Sequence, residues 1–125
     1  MVDIQYNLEL ECTVTQNGYR LAKLSEMLRN KVILMPKKQL EFYIKNIENF
    51  EKLKPYSIFW KIKNEGETAK KKDMIRGQLL ETNSYIHKEH TDFRGNHYVE
   101  AYIIKEDICI AKERIEVPIR ENTEL

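Results

Sequence analysis

A chain of 125 residues suits one folded domain that buries about 65–70% of its unfolded surface, and its 33% charged and 42% hydrophobic residues call for neither disulfide nor metal to hold it. Twenty-one basic against 20 acidic residues leave a formal net charge of +1, which excludes whole-domain attraction to long nucleic acid or an anionic membrane and confines any anion site to a local patch. No apolar run reaches the roughly 18–20 residues of a membrane span, and Met1-Val2-Asp3 lacks the basic start and apolar block of a signal peptide, so a cytoplasmic protein is expected.

Tyr6, Leu8, Leu10, Cys12 and Val14 alternate with polar residues and predict a half-buried strand. Asn17-Gly18 breaks that period, and Leu21, Leu24, Met27 and Leu28 recur at helical spacing, with Arg29 and Lys31 near the end where cations suit the helix dipole. Pro36 closes the next apolar stretch, and Leu40, Phe42 and Ile44 predict a second strand. Asn46 to Pro55 reads as a connection with one irregular turn. Tyr56, Ile58, Trp60 and Ile62 then restart the alternation, which ends at the turn-forming Asn64-Glu65-Gly66.

After a lysine-rich loop through Lys72, strands are predicted at Met74 to Leu80 and at Ser84 to Thr91. His97 to Ile104 and Ile108 to Ile110 flank a hairpin loop of three to five residues around Lys105-Glu106-Asp107, and a last strand runs from Arg114 to Ile119 with Ile115, Val117 and Ile119 on one face. Cys12 and Cys109 sit in alternating patterns rather than at metal-ligand spacing and read as reduced, buried thiols. Seven or eight short strands with one early helix predict a mainly β protein, an antiparallel immunoglobulin-like β-sandwich. Without repeats or a linker, residues 1–125 form one expected domain with a frayed tail over 121–125.

Four strings stand out: Phe59-Trp60-Lys61-Ile62-Lys63-Asn64-Glu65-Gly66, Arg76-Gly77, Glu89-His90-Thr91, and Gly95-Asn96-His97-Tyr98-Val99-Glu100. In this order they resemble the adenylyl/guanylyl and SMODS C-terminal sensor domain, a module found behind bacterial nucleotidyltransferases that make nucleotide second messengers. The resemblance covers most of the chain and is densest from Tyr56 to Ile119. It departs from the family pattern at Ala101, where a Cys is expected, and in a longer lysine run. It implies a non-catalytic sensor without cofactor that binds a linear or cyclic nucleotide or nucleotide derivative. Its partner would be a nucleotidyltransferase domain or an effector protein in bacterial antiphage signalling, with homo-oligomers left open.

Each residue singled out has two readings. Trp60 offers a ring for stacking on a base, yet one Trp on a sandwich strand is more often a core anchor; with Trp60 inside, Phe59, Lys61 and Lys63 face outward. Asn64 and Gly66 either aim turn amides at a phosphate or simply close a loop. Arg76 suits two-point contact with phosphate, Gly77 permitting close approach, or pairs with Glu89 or Glu100. Between Lys61 and Arg76 six basic residues face three acidic ones, a local excess of three.

His87, His90 and His97 do not share a strand face as a metal site requires. His97 is expected to bond Glu89 or Thr91 across a hairpin whose tip presents Phe93 and Arg94. No nucleophile–base motif or phosphate loop appears, so no enzyme is expected. The expected ligand surface is Lys61, Asn64, Arg76, Phe93 and Arg94, with Trp60, Gly66, His97 and Glu100 structural. The alternative is an immunoglobulin-like interaction or oligomerisation module, with the same strings as fold determinants.

Overall fold

The computed structural model describes residues 1–16, 20–32, 34, 38–64, 79–90 and 95–119. In chain order it contains β1 (Leu10–Gln16), β2 (Arg20–Lys23), α1 (Leu24–Arg29), β3 (Gln39–Ile44), a 3-10 helix (Ile47–Leu53), β4 (Ser57–Asn64), β5 (Leu79–Glu81), β6 (Ile86–His90), β7 (Gly95–Lys105) and β8 (Ile108–Ile119). Among the described residues two four-stranded sheets form, in the orders β2-β1-β3-β6 and β5-β4-β7-β8. All their strand pairs are antiparallel. The expected antiparallel β-sandwich is therefore what the chain builds. The connections β3 to β4, β5 to β6 and β6 to β7 each cross from one sheet to the other, the Greek-key habit of immunoglobulin-like folds.

Period-two alternation sets the core. In the first sheet the pairs Cys12–Phe42, Val14–Leu40 and Leu10–Ile44 share a face; in the second, Ile58–Ile103, Trp60–Ala101 and Ile62–Val99 do. These residues join Leu24, Met27, Leu34 and Phe50 in one hydrophobic cluster, with Leu10 packed at its margin. Burial pushes the Cys12 thiol up to about 12, with nearby Glu11 adding to the effect, so the sulfur stays protonated as a small apolar group.

Several elements differ from the sequence reading for local physical reasons. The helix is shorter, because Arg20–Lys23 pairs with β1 as an extra strand and takes Leu21 out of the helical repeat. β1 begins at Leu10 rather than Tyr6; upstream, the amides of Gln5 and Tyr6 donate to Ile110 O on the other sheet. The β7–β8 hairpin turns on two residues, Glu106 and Asp107, with φ of 52° and 65°. Two positive φ values mark a turn whose twist matches the flanking strands.

The two predicted strands after that turn are one, Ile108–Ile119, carrying an irregularity in which Ile103 pairs with Ala111 and Ile104 with Cys109. The extra residue, Ile110, explains why Cys109, Ile110 and Ala111 are buried in succession. β6 and β7 belong to different sheets, so no hairpin joins them. Of the strand expected at Met74 to Leu80, only Leu79 and Leu80 fall among the described residues, within β5.

A carboxylate compensates for the short helix. Lys23 at the N-cap of α1 gives no side-chain cap. Glu11 of β1 instead accepts from the Ser25 hydroxyl at 2.7 Å, the Ser25 amide at 3.3 Å and the Cys12 amide at 3.0 Å. Burial alone would raise the Glu11 pKa, but these bonds and the Lys23 charge outweigh it and hold the carboxyl below its ordinary value of 4.5. The stabilisation is thus present above the unfolded-state pKa and lost as pH falls through the folded one. Glu11→Gln should cost about 1–2 kcal/mol in urea denaturation at pH 7. The gap from wild type should close as the pH is lowered below 4.5; a gap that persists at pH 3 would contradict this role.

Candidate functional site

β4 divides its side chains between two environments. Trp60 is fully buried, its Nε1 donating to Ser84 O at 2.9 Å. Its ring stacks on His87, with centroids 5.6 Å apart and planes at 22°. His87 lies opposite Phe42, and Glu89 opposite Leu40, in the β3–β6 register, which places both polar residues on the core side of β6. His87 Nε2 lies 2.8 Å from Glu89 Oε2, with the two side chains only 14% and 17% exposed. A histidine covered by an indole on one face and joined to a carboxylate at Nε2 is held in a fixed orientation.

Phe59, Lys61 and Lys63 alternate with Trp60 and Ile62 and therefore face outward. Across the strands Lys61 pairs with Glu100, and Glu100 with Arg114. Arg114 Nε and Nη2 each lie 3.1 Å from Glu100 Oε2, and Tyr102 Oη donates to Glu100 Oε1 at 2.7 Å. The Arg114 guanidinium also sits 3.8 Å above the Tyr98 ring, and its Nη1 lies 3.6 Å from Glu116 Oε1. Burial and donation to Glu100 push the Tyr102 phenol up, so it remains a hydrogen-bond donor. Burial would lower Arg114, but the bond to Glu100 and its charge prevail and raise it. The outer face of the second sheet is thus a pre-ordered row of rings and charges, in which Phe59, Lys61 and Lys63 are half-buried.

Of the expected ligand residues, Lys61 is on this face. Asn64 closes β4 opposite His97, with its side chain outside the described set. Arg76, Phe93 and Arg94 lie outside the described residues, as does Gly66. The two connections that carry them leave β4 at Asn64 and β6 at His90, and the second returns to β7 at Gly95, two residues before His97. Trp60 and His97 are buried at 0% and 4% exposure, and Glu100 is the hub of the outer row. Glu100 is bonded by Arg114 and Tyr102, and Glu89 by His87; the expected pairing of either carboxylate with Arg76 lies outside the described residues.

Sequence reasoning missed Arg114, Tyr98 and Tyr102. The spacing Tyr98-x-Glu100-x-Tyr102 was the available signal, since three residues two apart share one strand face. Among the described residues no group of three or more His, Cys, Asp or Glu is gathered to hold a metal ion, and no helix is long and apolar enough to cross a membrane.

A family model described as Adenylyl/Guanylyl and SMODS C-terminal sensor domain matches residues 1–120, extending the resemblance across nearly all of the chain. No curated protein matches it.

The division of β4 is measurable. Trp60→Phe removes the indole donor and leaves Ser84 O short of a partner, and should cost about 1–3 kcal/mol in urea denaturation. Phe59→Ala on the outer face should cost clearly less. Equal losses, or a larger loss at Phe59, would contradict the inward and outward assignment.

Proposed function

The chain belongs to the Adenylyl/Guanylyl and SMODS C-terminal sensor domain family, and on that premise we propose that it is a non-catalytic sensor. It binds a nucleotide or nucleotide-derived second messenger and regulates an associated nucleotidyltransferase or effector in bacterial antiphage defence. The observation that carries this reading is the split of β4, which puts Lys61 and Lys63 beside Phe59 on the outer face while Trp60 anchors the core. A phosphorylated ligand needs local positive charge in a nearly neutral protein, and the excess of six basic over three acidic residues begins at Lys61 and runs to Arg76.

In this proposal Lys61 and Arg76 contact phosphate, Asn64 binds the ligand beside them, Phe93 stacks on it and Arg94 contacts it from the other connection. The bonded row of Glu100, Arg114, Tyr102 and Tyr98 holds the sheet beside Lys61, so binding energy is not spent on ordering it. All of residues 1–125 act as the one sensor unit.

The test is a thermal-shift panel of mono-, di- and cyclic nucleotides, since a ligand bound by the native state alone raises the midpoint. At least one nucleotide should raise it, and Arg76→Ala or Lys61→Ala should weaken that ligand by about tenfold through loss of a charge-assisted contact. A flat panel at millimolar ligand would move the assignment to a protein-interaction module. Unchanged affinity in a stably folded Arg76→Ala variant would remove Arg76 from the site.

A further inference from the structure

At the opposite end of β4 from Asn64, the 3-10 helix and the β5–β6 connection enclose a recess of about 460 Å³. Its walls include Ile47, Pro55, Tyr56, Ile58, Asn83 and Tyr85, with Glu51 and Lys54 also lining it. That volume is ordinary for a small-molecule site, and such sites combine apolar walls with a few placed polar groups.

The polar groups here are specific. Asn83 Oδ1 accepts from the Ile58 amide at 3.1 Å, which fixes the carboxamide and leaves its NH2 to donate. The Tyr56 phenol is pushed up by burial and stays a donor. Lys54 and Glu51 are joined at 3.1 Å, presenting a cation and a carboxylate side by side.

The walls are also built to hold their shape. Lys105 Nζ donates to Leu53 O at 2.7 Å and Pro55 O at 3.3 Å, tying β7 to the chain that leaves the 3-10 helix. Ile58 O accepts from the amides of Thr82 and Asn83, and Tyr85 O accepts from the Ile44 amide. Within this frame the Tyr85 side of the recess stays open, at 46% exposure for a large ring. An aromatic face left to water on a fixed backbone is a stacking platform.

We propose that this recess is a base subsite, which takes the planar, hydrogen-bonding ring of a nucleoside between its tyrosine and apolar walls, with the Asn83 NH2 donating to an acceptor on the ring edge. The choice of a nucleobase rests on the sensor reading above. The site is separate from the lysine face, because Ile58 points to the core side of β4 while Phe59, Lys61 and Lys63 point away from it. The recess needs no phosphate contact.

The experiment titrates adenosine, guanosine, cytidine and uridine, which carry no phosphate, into the full chain while following the ring-proton NMR signals of Tyr56 and Tyr85. At least one nucleoside should shift both rings saturably. Tyr85→Ala should weaken it about tenfold or more, while Lys61→Ala should leave it unchanged. Absence of ring shifts at millimolar nucleoside, or undiminished binding in Tyr85→Ala, overturns the subsite. So does a response to N-acetyltyrosinamide in place of every nucleoside, which would assign the recess to a peptide side chain. If nucleotides still raise the thermal midpoint while no nucleoside reaches the rings, this subsite fails and the sensor reading survives; if neither responds, both fail.

Discussion

Burial of Trp60 is the constraint on which the second sheet depends. A strand has only two faces, so committing one indole to the core decides where every other β4 side chain goes. The indole lies at 0% exposure, its single donor answered by Ser84 O and its face by the His87 ring. Burying a side chain of that size contributes about 5 kcal/mol of apolar transfer, an upper figure for a chain already partly collapsed when unfolded. The same contact joins the sheets, since Trp60 belongs to β4 and His87 to β6. A one-residue slip of β4 would put Lys61 into the core and Trp60 into water.

From that anchoring follows the layout of the candidate surface. Phe59, Lys61 and Lys63 have no core role, and across the sheet from them Glu100 gathers Arg114 and Tyr102. These bonds lie on a long, doubly paired strand, β7, flanked by β4 and β8. A binding face made on a rigid sheet keeps its groups in register before a ligand arrives, which lowers the ordering cost of binding. The Glu100 hub lies beside Lys61 and reaches β8 through Arg114, so the face spans three strands of the sheet.

Much of the fold was readable because β3 and β4 alternate without interruption, and the lone Trp on such a strand points to a sandwich interior. What escaped reading had local causes. Leu21 fits a helical repeat with Leu24 and Met27, yet its segment completes a hairpin with β1, and cross-strand pairing overrode the local period. Glu106 is not a residue that announces positive φ, so the two-residue turn looked like a longer loop. Ile110 hid a bulge, because three successive apolar residues do not show which one is extra.

Legibility of the site was uneven for the same reason. The orientation of Lys61 followed from Trp60, two facts on one strand. Arg114 was read only as the start of a strand whose Ile115, Val117 and Ile119 face mattered, so the charged side of β8 went unused. The partnership of His87 with Glu89 was missed, since Glu89 was read as a partner for His97 or Arg76; the place of the pair on the core side of β6 depends on pairing with β3, a contact nearly fifty residues away in the chain.

The central claim is that the ligand meets the outward face of β4 while Trp60 remains a structural anchor. An amide-resolved NMR titration of the whole chain with a nucleotide that raises its thermal midpoint tests this most directly. The account predicts shifts at Phe59, Lys61 and Lys63 with the Trp60 indole N–H, bonded to Ser84 O, unmoved. A shift centred on the indole, with Lys61 and Lys63 silent, would contradict it.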